Sequence, residues 1–85
     1  MQWPSGMSVA SAWSMENMEA FGDAMGGEFA EKGCDMQFGP AVNIHRVPTG
    51  GRNFEYLSGE EPSFGYHMVQ PVVRGIQSHN VMANV

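Results

Sequence analysis

Cys34-Asp35-Met36-Gln37-Phe38-Gly39-Pro40 is the stretch whose reading decides the fold of this 85-residue chain. Apolar Cys34, Met36 and Phe38 alternate with polar Asp35 and Gln37, the period of a strand with one buried face, and Gly39-Pro40 ends the run. Before it, Met18, Phe21, Gly22, Met25 and Phe29 recur at i, i+3, i+4, i+7 and i+11, one apolar face of an α-helix. Ser14 stands at the N-cap, Glu16 and Glu19 follow where the helix dipole favours acids, and Lys32-Gly33 is a basic-then-glycine stop. After it, Phe64, Met68, Val72 and Ile76 recur every four residues, flanked by Val69 and Val73, which predicts a second helix from about Ser63 to Ser78. Pro71 inside that helix should kink it or split off its first turns.

Working outward, Met7 to Ala12 alternates small and apolar residues and reads as a short strand, and Val81–Val85 is β-prone. The order is then strand, helix, strand, long loop, helix, strand. Alternation at this spacing predicts an α/β fold with parallel strands. The Gly26-Gly27 pair costs the first helix about 1 kcal/mol per glycine, which close packing of that helix on a sheet would explain. Three parallel strands are rarely stable alone, and the chain ends within a strand-like run. Residues 1–85 therefore read as part of a larger domain.

Composition narrows the function. An apolar fraction of 42% is ordinary for a folded chain. The net charge is −5, and the four cations Lys32, Arg46, Arg52 and Arg74 are scattered among nine acids. A phosphate-tracking surface needs clustered cations, so nucleic acid is not an expected partner. No apolar run approaches the roughly 18–20 residues of a membrane span, so no membrane role is expected either. His45, His67 and His79 lack metal-ligand spacing, and no cofactor motif is present. Cys34 alone is uninformative, since a lone buried thiol occurs in any compartment. The eight methionines read as core filler. Met1-Gln2-Trp3-Pro4 has neither the basic nor the apolar region of a signal peptide, and the compartment stays open.

In parallel β/α folds, ligands bind on loops at the carboxyl ends of strands. The 24 residues Gly39–Pro62 form such a loop after the Cys34–Phe38 strand. Loops beyond about 12–15 residues are usually functional or disordered, and Ile44, Val47, Phe54, Tyr56 and Leu57 argue that this one packs. Arg52 follows Gly50-Gly51, which allow close backbone approach or positive φ. Its guanidinium offers a fixed fork of donors suited to hydroxyls or a carboxylate. Glu55 could hold it in place, with Phe54 and Tyr56 as apolar walls. Two readings stand at this point: a ligand-directed arginine, or an Arg52–Glu55 salt bridge that staples the loop.

The remaining polar residues read as structural. His45-Arg46 lies in Pro-rich loop backbone. Glu60 and Glu61, adjacent in sequence, read as helix N-terminal acids rather than a catalytic pair. His67 and His79 read as solvated or capping residues. Asp35 keeps a minor claim to a role from its place in a strand. Ser8, Ser11 and Ser58 lack the setting of a nucleophile.

Several stretches resemble, in order and spacing, the N-terminal barrel of glycoside hydrolase family 3. They are Gly39-Pro40-Ala41-Val42-Asn43-Ile44, Arg46-Val47-Pro48, Gly51-Arg52-Asn53-Phe54-Glu55-Tyr56-Leu57-Ser58-Gly59-Glu60-Glu61-Pro62, and Arg74-Gly75-Ile76-Gln77-Ser78. Upstream, Trp3-Pro4-Ser5-Gly6 through Trp13 and Gly22–Gly33 are similar to the preceding β/α unit of that family. Gly59 before Glu60-Glu61-Pro62 looks like the β-glucosidase branch. Ser14-Met15 after Trp13, and Glu61 before Pro62, depart from the family's usual aspartates.

The resemblance implies a partial (β/α)8 TIM-like barrel, with residues 1–85 forming part of the catalytic N-terminal domain. It implies that Arg52 binds hydroxyls of the sugar in subsite −1 and that Glu55 orders it. The implied partners are a β-glucoside or oligosaccharide substrate, the rest of the barrel and a second α/β domain. No cofactor or metal is implied. The nucleophile and the acid/base would lie elsewhere, so this stretch by itself would be inactive. The alternatives are a non-catalytic carbohydrate-binding remnant and a gene-model piece without its own activity.

Overall fold

The computed structural model describes all residues from Met1 to Val85. In chain order it contains α1 (Gly6–Ala10), α2 (Met15–Glu31), β1 (Met36–Phe38), a 3-10 turn (Asn53–Glu55), α3 (Pro62–Gln77) and β2 (Met82–Asn84). The strands pair in parallel, with Met36, Gln37 and Phe38 opposite Met82, Ala83 and Asn84. Helix α3 is the crossover between them, the arrangement a parallel pair requires.

Both long helices begin where the sequence says they should. The Ser14 hydroxyl accepts the Asn17 N–H at 3.1 Å and caps α2. The α2 helix ends at Lys32, and Gly33 takes φ +76° just beyond it. Glu61 caps α3 by accepting the Ser63 N–H at 2.9 Å. Pro62 then occupies a first-turn position, where its missing donor costs nothing. Removing the Ser14 cap is expected to cost about 1 kcal/mol: urea unfolding of Ser14→Ala should show a lowered midpoint at unchanged slope.

Glycines set the distance between α2 and α3. A Cβ on Gly22 would lie 2.3 Å from the Val72 carbonyl oxygen, and one on Gly26 2.9 Å from the Ile76 Cα. From the other side, a Cβ on Gly75 would lie 2.4 Å from the Asp23 nitrogen. The helices therefore touch backbone to backbone, and Met18, Met68, Val72 and Ile76 are buried with Ala10, Leu57 and Val81 in one core. Three polar links cross the seam: Arg74 to Glu19 at 3.4 Å, His79 to Asp23 at 2.9 Å, and the Ser78 hydroxyl donating to Asp23 at 3.4 Å. The close packing expected for the glycine-bearing helix is thus present, but its partner is α3 rather than a sheet.

Other expectations change as well. The Met7–Ala12 run is no strand. Residues 6–10 form a helix whose N-cap, Ser5, accepts from the Ser8 N–H. Small alternating residues suit either state, and the cap decided for the helix. The sheet accordingly has two strands, not three. Pro71 does not split α3, which runs unbroken from Pro62 to Gln77 with Pro71 buried. The carbonyl that Pro71 cannot serve belongs to His67, an exposed residue.

The buried face of β1 is also the opposite of the expected one. Gln37 is 5% exposed, whereas Phe38 is 86% exposed and Met36 41%. Gln37 sits beside Ala83, which packs on the core, so the helix-facing side carries the amide. A two-residue period separates two faces but does not say which one meets the helices. Cys34 is exposed rather than buried.

Candidate functional site

The long loop leaves the carboxyl end of β1 and is closed at its base. Ala41 and Tyr56 form a parallel bridge, the Leu57 N–H donates to the Ala41 carbonyl at 3.2 Å, and the His45 N–H donates to Gly59 at 2.7 Å. Leu57 and Ser58 are buried. Ser58 lies under α3, where a Cβ on Gly65 would come within 2.9 Å of it. On the other side α1 abuts the 3-10 turn, since a Cβ on Gly6 would lie 2.9 Å from the Glu55 carbonyl oxygen. The loop is ordered because its return arm is wedged between α1 and α3.

Inside the loop, Asn53 is the internal brace. Its side-chain amide donates to the Val47 carbonyl at 3.1 Å and the Pro48 carbonyl at 3.3 Å. That tie bends the chain, with Gly51 at φ +74°, so that Arg52 stands at the crest. Arg52 Nε donates to Glu55 Oε1 at 2.5 Å. The Glu55 hydrogen bond, reinforced by its charge, holds the Arg52 guanidinium above the ordinary arginine range. Arg52 is 79% exposed at its side chain, and its terminal nitrogens have no partner in the chain.

The pair divides two cavities. Arg52 lines one of about 310 Å³ together with Asn43, His45, Arg46, Asn53 and Tyr56. Glu55 lines another of about 350 Å³ with Trp3, Phe21, Gln37, Phe38 and Leu57. The first presents a polar rim over an aromatic edge, because the His45 and Tyr56 rings meet edge-on with centroids 5.9 Å apart. Glu55 holds the arginine through Nε and leaves its forked outer edge unpaired, geometry of a kind that suits vicinal hydroxyls or a carboxylate.

The structure brings together Arg52 and Glu55, and it adds Asn43, His45, Arg46 and Tyr56 to the same rim. Phe54 does not form a wall: it is 59% exposed and lines neither of these two cavities. Glu60 is exposed and Glu61 serves α3 as its cap. His67 lies edge-on to Tyr66, and His79 is tied to Asp23. Asp35 is exposed, and its carbonyl accepts from the Met82 N–H. Ser8 and Ser11 bond within the α1 segment. The brace Asn53 was missed in the sequence; an asparagine beside a Gly-Gly-Arg turn was the available signal. No three His, Cys, Asp or Glu side chains converge to hold a metal.

Because the Arg52–Glu55 pair is exposed, it contributes little to folding. Glu55→Gln is therefore expected to leave the melting transition in place while freeing the arginine. Side-chain 15N relaxation at Arg52 Nε should then show fast, large-amplitude motion, and an Nε as ordered as in the parent would refute the orienting role.

Comparison with known proteins gives a consistent result. Residues 2–85 match the family model described as the glycosyl hydrolase family 3 N terminal domain. The chain is 43% identical over 82 residues to a probable beta-glucosidase of Arthroderma benhamiae, covering 95% of this chain and 10% of that protein. It is 42% identical to beta-glucosidase A of Aspergillus kawachii, again over 95% of this chain and 9% of that protein. Among solved structures, beta-glucosidase 3B of Thermotoga neapolitana in complex with glucose superposes with a TM-score of 0.89 at 46% identity, over 95% of this chain and 11% of that one. The chain thus spans about a tenth of the length of the relatives it matches.

Proposed function

The chain belongs to glycosyl hydrolase family 3, and on that footing we propose that residues 1–85 are one part of the N-terminal (β/α)8 barrel of a retaining β-glucosidase. The whole protein would remove terminal β-D-glucosyl units from β-glucosides or oligosaccharides. In this reading Arg52 binds hydroxyls of the sugar in subsite −1, and Glu55 holds it for that purpose. The observation that carries the reading is the Arg52 fork, held at Nε by Glu55 and otherwise unengaged, on the loop after β1.

Several features support the larger barrel. Met36, Phe38 and Met82 leave one face of the β1–β2 pair exposed and apolar, a face that a closed barrel would bury. Trp3 Nε1 and Gln37 Oε1 are buried without hydrogen-bond partners. Buried polar atoms are nearly always paired, so partners from the rest of the protein belong there. The small share of each relative that the chain covers accommodates the remaining strands and a second α/β domain.

The chemistry would be carried by two carboxylates outside residues 1–85. In a retaining mechanism one attacks the anomeric carbon and the other protonates the leaving oxygen, about 5–5.5 Å apart. Arg52 contributes by positioning, and by contacts to hydroxyls that tighten as the oxocarbenium-like state forms. The test is hydrolysis of an aryl β-glucoside by the full-length protein, with the first-formed anomer identified by proton NMR. Release of β-glucose is expected. Release of α-glucose, or a folded full-length protein inert to β-glucosides, would refute the assignment.

A further inference from the structure

Gly6 is the residue of α1 that meets the Arg52 turn, and its lack of a side chain is what lets the two touch. A Cβ there would lie 2.9 Å from the Glu55 carbonyl oxygen and 3.0 Å from Leu57 Cδ2. Its backbone is not in the left-handed region. Conformational freedom therefore does not explain a glycine in this short helix, where it is a poor helix former. Size is the requirement. The contact reaches Arg52 through two links: the Glu55 N–H donates to the Arg52 carbonyl at 3.3 Å, and the Glu55 carboxylate accepts from Arg52 Nε. Backbone and side chain tie the two residues into one small unit, so a push on the Glu55 carbonyl moves the guanidinium with it.

Helix α1 is the firmer side of the contact. Ala10 is fully buried in the core, and the Ser5 hydroxyl caps the first turn. The Trp13 N–H donates to the Ala10 carbonyl at 3.0 Å, just before the Ser14 cap of α2. Bulk added at Gly6 is therefore taken up by the turn. We infer that Gly6 is a positioning residue for the sugar site: its bare Cα is the stop against which the Arg52–Glu55 unit seats, and that seat sets the reach of the guanidinium toward the substrate. This role presupposes Arg52 as a sugar ligand, and it brings in an element that does not itself line the Arg52 cavity.

Restoring ordinary contact, 3.4 Å or more, requires the turn to move by about half an ångström. A misplacement of about 1 Å can lower a rate by roughly a hundredfold. Gly6→Ala in the full-length protein is accordingly expected to lower kcat/KM for an aryl β-glucoside by roughly tenfold, divided between kcat and KM as in Arg52→Ala. The loss should vanish in an Arg52→Ala background, where nothing is left to position; a merely structural role would add to the Arg52→Ala loss instead. A crystal structure of Gly6→Ala supplies a readout that needs no activity, with Arg52 and Glu55 expected to be displaced together, their bond kept and α1 in place. A shifted α1 beside an unmoved turn overturns the inference, and so does an additive loss. Full activity in Gly6→Ala while Arg52→Ala loses activity overturns it as well. A displaced turn with full activity in both variants overturns the sugar reading and leaves the seat standing. Ser5→Ala, which removes the α1 cap beside Gly6, serves if Gly6→Ala does not fold. A smaller loss, again absent without Arg52, is expected of it, and activity equal to the parent's overturns the inference.

Discussion

Arg52→Ala in the full-length protein is expected to lower kcat/KM for an aryl β-glucoside by roughly 10- to 100-fold, the loss that one or two hydrogen bonds from a charged donor produce. The fold should not respond, since the Arg52 side chain is 79% exposed and its one bond is to Glu55 in the next turn. An unchanged melting temperature would assign the loss to binding. The division between the constants carries the mechanism. A fall in kcat equal to the fall in kcat/KM places the contact in the transition state, and a rise in KM alone makes it uniform binding. Arg52→Lys keeps the charge but loses the planar fork, so it should fall between the two. An alanine variant indistinguishable from the parent in both constants would remove Arg52 from the site.

Gly75→Ala is expected to destabilise the protein by about 3 kcal/mol or more, at the upper end of overpacking penalties. Helix propensity alone would favour alanine by about 1 kcal/mol, so packing has to reverse the sign. It does so because the added Cβ would lie 2.4 Å from the Asp23 nitrogen, 2.5 Å from the Glu19 carbonyl oxygen and 2.7 Å from the Gly22 carbonyl carbon. All three are backbone atoms, and none can rotate away. Helices α2 and α3 would have to separate, opening the layer that buries Met18, Val72 and Ile76. Gly27→Ala is the control: its Cβ would meet only the His79 ring, at 3.4 Å. That variant should be neutral or slightly stabilised. Equal unfolding midpoints for the two would sink the account of a backbone-to-backbone seam.

The two long helices were legible because their signals are local. Ser14 and Lys32-Gly33 mark α2, the four-residue recurrence from Phe64 to Ile76 marks α3, and the structure keeps both. The Arg52–Glu55 pair was legible for the same reason, as two residues three apart on a glycine-marked turn. The structure shows the bond that the stapling reading requires and leaves the outer edge of the guanidinium unpaired, and the ligand-directed reading is the proposal made above. The strand misreading of the Met7–Ala12 run arose where a short run had no period to decide it. Residues 6–10 carry too few side chains for periodicity to separate helix from strand, and the Ser5 cap decided.

By itself the sequence determined the order of the long elements, their caps, the parallel alternation and the family resemblance. Each of these rests on neighbours within a few residues or on an ordered set of motifs. Only the tertiary structure decided which face of β1 meets the helices, that the glycines of α2 face α3, and that Asn43, His45, Arg46 and Tyr56 gather around Arg52. The first two depend on contacts between segments far apart in the chain, and the third on how one aperiodic loop folds back on itself. Side-chain periods do not encode them, because a period gives the faces of an element but not what each face will touch.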